Sequence, residues 1–324
     1  MLSKRPLNFV VSMPKEIMEK QSKSVLCMGA ILLDELYFVD HPLQWHTSNP
    51  AQKKGSLGGV VSNIAQHLAQ LDVEVALLTA FGTDPEARFV QQQLDAQGIS
   101  YAESIVASAD TGKYVSIVNP DGSLQVAVCA DACTPFITPE YVAEKSAYLM
   151  QFDILVIDTN LSIETIQACI DFCRSHQKKL IIEPVSVPKA HKLAALSLAG
   201  VFLITPNQDE LEAILGNSHA RIPEALLLQG VSQVWLRKGA AGSSFYSVDG
   251  LIDMPAFAVE VVDSTGAGDA ALAAWIYAYI QGESSANCIA LGHALAAEVL
   301  QQQGAGVQGI NPQKLKSIHS KYSS

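Results

Sequence analysis

After Gln151 four short apolar runs follow one another, "DILVIDTN", "KLIIEPV", "VFLITPN" and "QVWLRKG", each ending on a polar or turn residue. Runs this uniformly apolar read as strands covered on both faces, and a sheet covered on both faces is mostly parallel, with helices as crossovers. The same alternation begins earlier. "SVLCMGAILLD" is expected to be the first strand and "EVALLTAFG" the next. Between them, "SNIAQHLAQL" places Ile64, Ala65, Leu68 and Leu71 on one helical face, and "EARFVQQQLDAQG" is a later helix stopped at Gly98. The fold class is therefore α/β. Sheets of this kind bind ligands beyond the carboxyl ends of their strands. Asp158, Asn160, Glu183, Asn207 and Lys238 stand at such ends and become candidate site residues.

One section breaks the alternation. "GKYVSIV" and "LQVAVCA" flank "NPDGS", whose Asp-Gly pair suits a hairpin. Together with "ELYFVD" this pair is expected to form a small sheet projecting from the main body, a lid made of segments at about 35–57 and 111–130. An exposed edge on that sheet is one that a second copy could cover, so a homodimer through the lid is the expected assembly. No linker or internal repeat divides the rest. The expected organisation is an extension over 1–23, "MLSKRPLNFVVSMPKEIMEKQSK", and one domain over 24–324 that carries the lid.

The net charge of −11 argues against extended contact with a nucleic-acid backbone but permits local binding of a small polyanion. The longest apolar run near the glycines, "AALAAWIYAYI", is far shorter than the roughly 20 residues of a membrane span. It is expected to be a buried helix. The amino terminus lacks the continuous apolar stretch of a secretory signal, so a cytoplasmic, reducing location is expected and the six cysteines are read as thiols. The spacings Cys129/Cys133 and Cys169/Cys173 are wider than tight zinc knuckles use, and core packing is the preferred reading. The eight histidines have no metal-ligand spacing, and His293 is expected to be a satisfied core or pocket residue.

Chemistry concentrates in "VVDSTGAGDA". If Gly266, Ala267 and Gly268 open the helix that follows, their N–H groups face outward with no side chain in the way and form an anion hole. Asp269 beside them could accept a proton from an attacking hydroxyl. The alternative is a glycine-softened turn with Asp269 as a helix-start carboxylate.

"DSTGAGD" resembles the carboxyl-terminal signature of the ribokinase-like (PfkB) carbohydrate kinases, and the resemblance extends along the chain. "GGVVSNIAQHLAQL" is similar to the family's Gly-Gly-x-x-x-Asn segment, "AFGTDPEARFVQQQL" to its Gly-x-Asp segment and "TPNQDEL" to its Asn-x-x-Glu motif, from roughly Val25 to the end. What this implies is a three-layer α/β/α core with a small β lid, and a transferase that moves the ATP γ-phosphoryl group to a primary hydroxyl, using magnesium. "SNPAQKKGSLGGVVSNIAQHLAQL", "IDTNLS" and "EPVSVPKA" resemble the branch that phosphorylates the 5′-hydroxyl of pseudouridine. Ser62 stands where that branch has arginine, and Leu32 where it has asparagine. A ribokinase-like sugar kinase and another nucleoside kinase remain alternatives.

The resemblance implies roles residue by residue. Asp269 is the expected base, with Gly266, Ala267 and Gly268 as the anion hole. Asp34, Gly58, Gly59 and Asn63 are the expected readers of sugar hydroxyls, since a carboxylate and an amide can bracket a diol while glycines admit the ring to the backbone. Their alternatives are a strand-end carboxylate at Asp34 and a helix-start residue at Asn63. Lys189 is expected at the base or phosphate, with surface charge as its alternative. Asn207, Lys238, Gly239 and Thr265 are expected on the nucleotide side, although a solvated lysine suits position 238 nearly as well. Asn207 and Glu210, three apart, could share a helix face and orient magnesium-bound water, or form a helix cap. Asp263 is expected to anchor its loop near a monovalent-cation region, where potassium is the candidate ion. From other classes, a ligand-sensing module without turnover conflicts with the retention of Asp269, the glycines and Glu210 together. A dinucleotide-dependent oxidoreductase conflicts with the missing Gly-x-Gly-x-x-Gly after the first strand.

Overall fold

The structure is a computed structural model that describes residues 23–216, 222–306 and 309–323. The expected extension over 1–23 lies, apart from Lys23, outside the described residues. Eight strands form the main sheet, in the order Gly250–Met254, Ser243–Ser247, Gln233–Arg237, Leu203–Ile204, Lys179–Glu183, Ile154–Asp158, Val25–Met28 and Val75–Leu78. From Val75–Leu78 through to Gln233–Arg237 every neighbouring pair is parallel. Only the edge hairpin Ser243–Ser247/Gly250–Met254 runs antiparallel. The sheet separates two apolar cores. One side packs Ile64, Leu68, Trp235, Leu272 and Trp275; the other packs Leu26, Leu155, Ile170, Ile182 and Leu211. Central strands such as Ile154–Asp158 are buried along their whole length, as continuous apolar runs in a doubly covered sheet must be.

The first strand departs from its expected form. "SVLCMGAILLD" is not one strand but two, Val25–Met28 in the main sheet and Leu32–Val39 in a second sheet. The break falls at Gly29, where a side chain has no room: a Cβ there would lie 2.7 Å from the Asp158 carboxyl carbon. The chain turns out of the core at this close approach and enters a four-stranded sheet ordered Ala51–Gly58, Leu32–Val39, Lys113–Val118, Leu124–Ala130. Lys113–Val118 and Leu124–Ala130 pair antiparallel around the Asp121-Gly122 turn, with Gly122 at φ 83. On the outer face of Leu124–Ala130, Val126 and Val128 remain exposed.

Helices Val60–Gln70, Ala267–Gln281 and Ser285–Leu300 lie against the first core. The apolar run after the glycines is buried from Asp269 to Ala278. No helix among the described residues is long and apolar enough to cross a membrane. Cys169 and Cys173 are buried one turn apart in helix Ile163–Ser175, Cys133 is buried and Cys129 exposed, and all six cysteines are free thiols. Among the described residues no group of three or more His, Cys, Asp or Glu could hold a metal ion.

Candidate active site

Parallel strands deliver their carboxyl ends to one rim of the sheet, and that rim carries the polar cluster. Asp158, Glu183 and Arg237 each close a strand there, with Thr205 directly following another. All four belong to a layer that is otherwise apolar, so each needs a partner. Thr205 donates its hydroxyl to Glu183 Oε2, and Arg237 Nη2 reaches Glu183 Oε1 at 2.6 Å and lies 3.9 Å from Glu210 Oε2. Burial opposes the charge on Arg237, but Glu183 and Glu210 outweigh it and raise its pKa further. Asp158 accepts the Asn160 N–H at 2.9 Å on one oxygen; its other oxygen is buried without a partner. Burial raises its pKa to about 6.

Helix Ala267–Gln281 faces this rim with its amino end. Gly266 precedes it in the left-handed region, φ 73, and no side chain caps the helix. The Ala267 N–H makes a long bond to the Ser264 carbonyl, 3.4 Å, and the absence of a capping side chain leaves this end of the helix open to a ligand or to water, as an anion hole requires. Space here is reserved. A Cβ on Gly266 would lie 2.4 Å from the Ala305 Cβ, and one on Gly268 would lie 2.3 Å from Arg237 Nη1. Asp269, in the first turn, is 9% exposed and accepts a hydrogen bond from Asn63 Nδ2 at 2.8 Å. Burial raises its pKa to about 8, with Glu183 and Asp158 adding repulsion while Asn63 and Arg237 oppose the shift.

A cleft of about 890 Å³ lies between the inner face of the second sheet and the loops Val261–Thr265 and Gln303–Gly306, and Asp34, Asn63 and Thr265 line it. Asp34 is carried there by Leu32–Val39, and burial raises its pKa to about 6. Its carboxyl packs on Gly58, where a Cβ would lie 2.2 Å away; at Gly59 a Cβ would meet the Ala30 carbonyl oxygen at 2.5 Å. These two glycines therefore let the strand Ala51–Gly58 pass into helix Val60–Gln70 in contact with both. Asp263 holds the two loops together, accepting the Thr265 N–H and the Gly304 N–H at 2.9 Å each. Those bonds outweigh burial and lower its pKa.

Five more of the expected residues have definite settings within the chain. Glu210 forms a reciprocal cap with Asn207: each side chain takes the other's backbone N–H, at 2.9 and 2.8 Å. The cap satisfies the amino end of Gln208–Leu215, so one oxygen of Glu210 and the Asn207 side-chain oxygen are committed to the helix. Lys238 turns away from the rim to Ser244 and to Asp253, 3.4 Å distant, on the edge hairpin. Lys189 donates to the Asn160 side chain and so stays at the rim, beside the Asp158 strand end rather than beside the glycines. Gly239, φ 57, opens a short turn with nothing close to its missing Cβ. His293 is satisfied on both ring nitrogens, by Ser243 and the Pro255 carbonyl.

Arg237 is the residue that the sequence reading passed over. "QVWLRKG" shows two basic residues at the strand end, and the alternation of side chains along a strand, with Trp235 inside, separates their directions. Removing the space it uses is a direct check. Gly268→Ala should leave the fold intact and displace the Arg237 guanidinium, and we expect the affinity for a nucleotide triphosphate to fall at least tenfold by calorimetry. Unchanged affinity would show that this contact does not bear on anion binding.

Comparison with known proteins bears on the family and the fold. The chain is 26% identical over 279 residues to the pseudouridine kinase of Escherichia coli (strain K12), covering 83% of this chain and 88% of that protein. It is 25% identical over 266 residues to the deoxyribokinase of Salmonella typhi, covering 79% and 86%. Among solved structures, a carbohydrate kinase from Agrobacterium tumefaciens superposes with a TM-score of 0.82 at 25% identity, over 92% of this chain and 97% of that one. Arabidopsis thaliana ribokinase complexed with ribose and ATP superposes with a TM-score of 0.77 at 18% identity, over 92% and 99%. The sequence profile of the pfkB family carbohydrate kinases matches residues 22–312, and this chain belongs to that family of phosphotransferases with a hydroxyl acceptor, on a ribokinase-like α/β/α fold.

Proposed function

We propose that this kinase transfers the γ-phosphoryl group of ATP to the 5′-hydroxyl of a nucleoside, pseudouridine first among them. The observation that carries the reading is Asp269: a buried carboxylate at the uncapped head of a helix, held by Asn63, itself a wall of the cleft that also contains Asp34. In the reaction, the Asp269 carboxylate takes the proton of the attacking hydroxyl while the N–H groups of Gly266, Ala267 and Gly268 receive the charge of the transferring group. Asp34 and Asn63 fix the sugar so that the hydroxyl lies in line, which supplies the positional part of the rate. Magnesium brought with the nucleotide would neutralise phosphate charge while keeping several of its waters. Asn207 and Gly239 remain on the nucleotide side in this reading, Thr265 at the cleft mouth and Lys189 on the substrate side. Glu210, whose one oxygen makes the cap, would hold magnesium-bound water on the other. Potassium would sit by backbone carbonyls near Asp263, whose own oxygens already hold N–H groups.

The acceptor rests on the pseudouridine kinase relative and on the "SNPAQ" and "IDTNLS" segments. A second reading, a deoxyribose or ribose kinase, is favoured by the deoxyribokinase relative and by Ser62, which is fully buried and bonded by Gln66 at 3.3 Å where the pseudouridine branch has arginine. ADP release with pseudouridine, uridine, deoxyribose, ribose and fructose separates the two. Pseudouridine should give the highest kcat/KM; faster turnover of a free sugar leaves the family and removes the substrate.

Asp269→Asn tests the base. Turnover should fall on the order of 100-fold or more while ATP and nucleoside binding persist. Stability should move the other way. The folded pKa of Asp269 lies above its unfolded value, so the carboxyl favours folding below about pH 4, and that contribution is lost as pH rises toward about 8. The Asn variant avoids the loss and should be more resistant to urea than the parent at pH 8. A variant that is both inactive and less stable there would point to a structural carboxylate.

The second sheet is read as a lid whose outer valines, Val126 and Val128, meet a second copy in a cytoplasmic homodimer. Sedimentation should give a dimer that Val128→Lys converts to monomer, and nucleoside should slow hydrogen exchange over 32–39 and 113–130. A monomeric parent, or exchange indifferent to nucleoside, overturns the respective half.

A further inference from the structure

Helix Val60–Gln70 carries two polar side chains one turn apart, Asn63 and His67, on the face turned toward the site. Asn63 holds the Asp269 carboxylate. His67 is 2% exposed, and its Nε2 lies 3.0 Å from the Ala305 carbonyl oxygen. A carbonyl only accepts, so the ring carries its proton on Nε2. That leaves Nδ1 as an unprotonated acceptor, and it is buried with no partner. Such a ring is costly to bury, and burial holds its pKa below the ordinary histidine value against the opposing effect of the Ala305 bond. A purely apolar residue would fill the position at lower cost, so the bond to Ala305 is what the imidazole adds.

Ala305 is the wall of the glycine loop: it occupies the volume that a Gly266 side chain would take. Its loop is also tied at Gly304 to Asp263, and at Gln303 to Lys54 of the second sheet, at 2.9 Å in each case. Of these ties, the one from His67 grips the carbonyl next to Gly266. We propose that His67 is a positioning residue for phosphoryl transfer: through Ala305 it fixes the Gly266–Gly268 donors relative to the Asp269 carboxylate that the same helical turn holds through Asn63. This rests on the reading of Asp269 and the glycines as the transfer site. The consequence is a specific reach requirement. The amide nitrogen of glutamine extends about as far as Nε2, whereas that of asparagine ends near Nδ1, one bond-length class short of the carbonyl.

The test compares His67→Gln, His67→Asn and His67→Leu by steady-state kinetics on the acceptor that the parent turns over, with ATP-analogue affinity by calorimetry and melting temperature alongside. A misplaced donor set costs chemistry more than binding, and an error of about 1 Å can cost on the order of 100-fold. We expect kcat to fall at least tenfold in the Asn and Leu variants, with the nucleoside KM within about threefold, and the Gln variant to recover to within about threefold of the parent. Equal kcat in the Gln and Asn variants overturns the proposal. So does a loss of kcat that follows melting temperature across the three, and the Gln–Asn pair decides even if the Leu variant does not fold. A parent that turns over none of the acceptors fails the transfer reading itself, a result distinct from an active parent with indifferent variants. The positioning role falls with that reading.

Discussion

The hydrogen bond from Asn63 to Asp269 is the joint on which the site depends. It spans 206 residues of sequence and closes the distance between the helix that follows strand Ala51–Gly58 and the helix that follows the glycines. Neither end could be placed by local structure alone. Asn63 comes to this point because Gly58 and Gly59 let the chain leave the lid strand in contact with Asp34 and Ala30; Asp269 comes because Gly266 turns the chain into a helix without a capping side chain. The apolar faces of the two helices share one core, which sets the helices against each other and gives the bond its fixed geometry. The cost is a carboxyl buried where water cannot solvate it. Proteins keep such groups where function uses them, and stability elsewhere must carry the difference.

Much of the architecture was legible because it depends on periodicity. Uninterrupted apolar runs specify strands covered on both faces, and the parallel order from Val75–Leu78 to Gln233–Arg237 follows from helices intervening between them. Two features were not legible. The first strand was read as continuous across Gly29, because the pattern stays apolar on both sides of the turn and nothing local reveals that Asp158, 129 residues later, fills the space beside it. The antiparallel edge hairpin carries only a weak signal, although "SVDG" holds an Asp-Gly turn of the same kind as "NPDGS". Its strands end the sheet, where partners are fewer and the apolar signal is weaker.

For the site, residues constrained by backbone were the readable ones. Gly58, Gly59, Gly266 and Gly268 each lie where a Cβ would collide, so their identity follows from a contact that the fold imposes. Long side chains were less readable. Lys238 and Arg237 are neighbours at one strand end, yet successive residues point to opposite sides, and it is Arg237 that faces the glycines while Lys238 pairs with the hairpin. Spacing permitted two readings of Asn207 and Glu210, and only coordinates show the reciprocal cap formed. His67 looked like any helical residue, because the Ala305 carbonyl that it meets is 238 residues away.

Charge is the remaining constraint on the rim. Asp158, Glu183, Glu210 and Asp269 are all buried there, within a chain of net charge −11, and phosphoryl transfer requires a polyanion to enter among them. Two cations, Arg237 and Lys189, cannot neutralise four carboxylates, and Arg237 is already committed through Nη2 to Glu183. Burial resolves part of the conflict: it shifts Asp158 to about 6 and Asp269 to about 8, so near neutral pH Asp269 is largely protonated before any ligand arrives. The ionised form, the one able to accept a proton, becomes the majority only as pH rises past about 8. A carboxyl tuned in this way is close in pKa to the surroundings in which it must accept a proton, which is the condition under which general-base catalysis is most effective. The same burial that weakens the fold at this point therefore lets an acidic protein admit an acidic substrate.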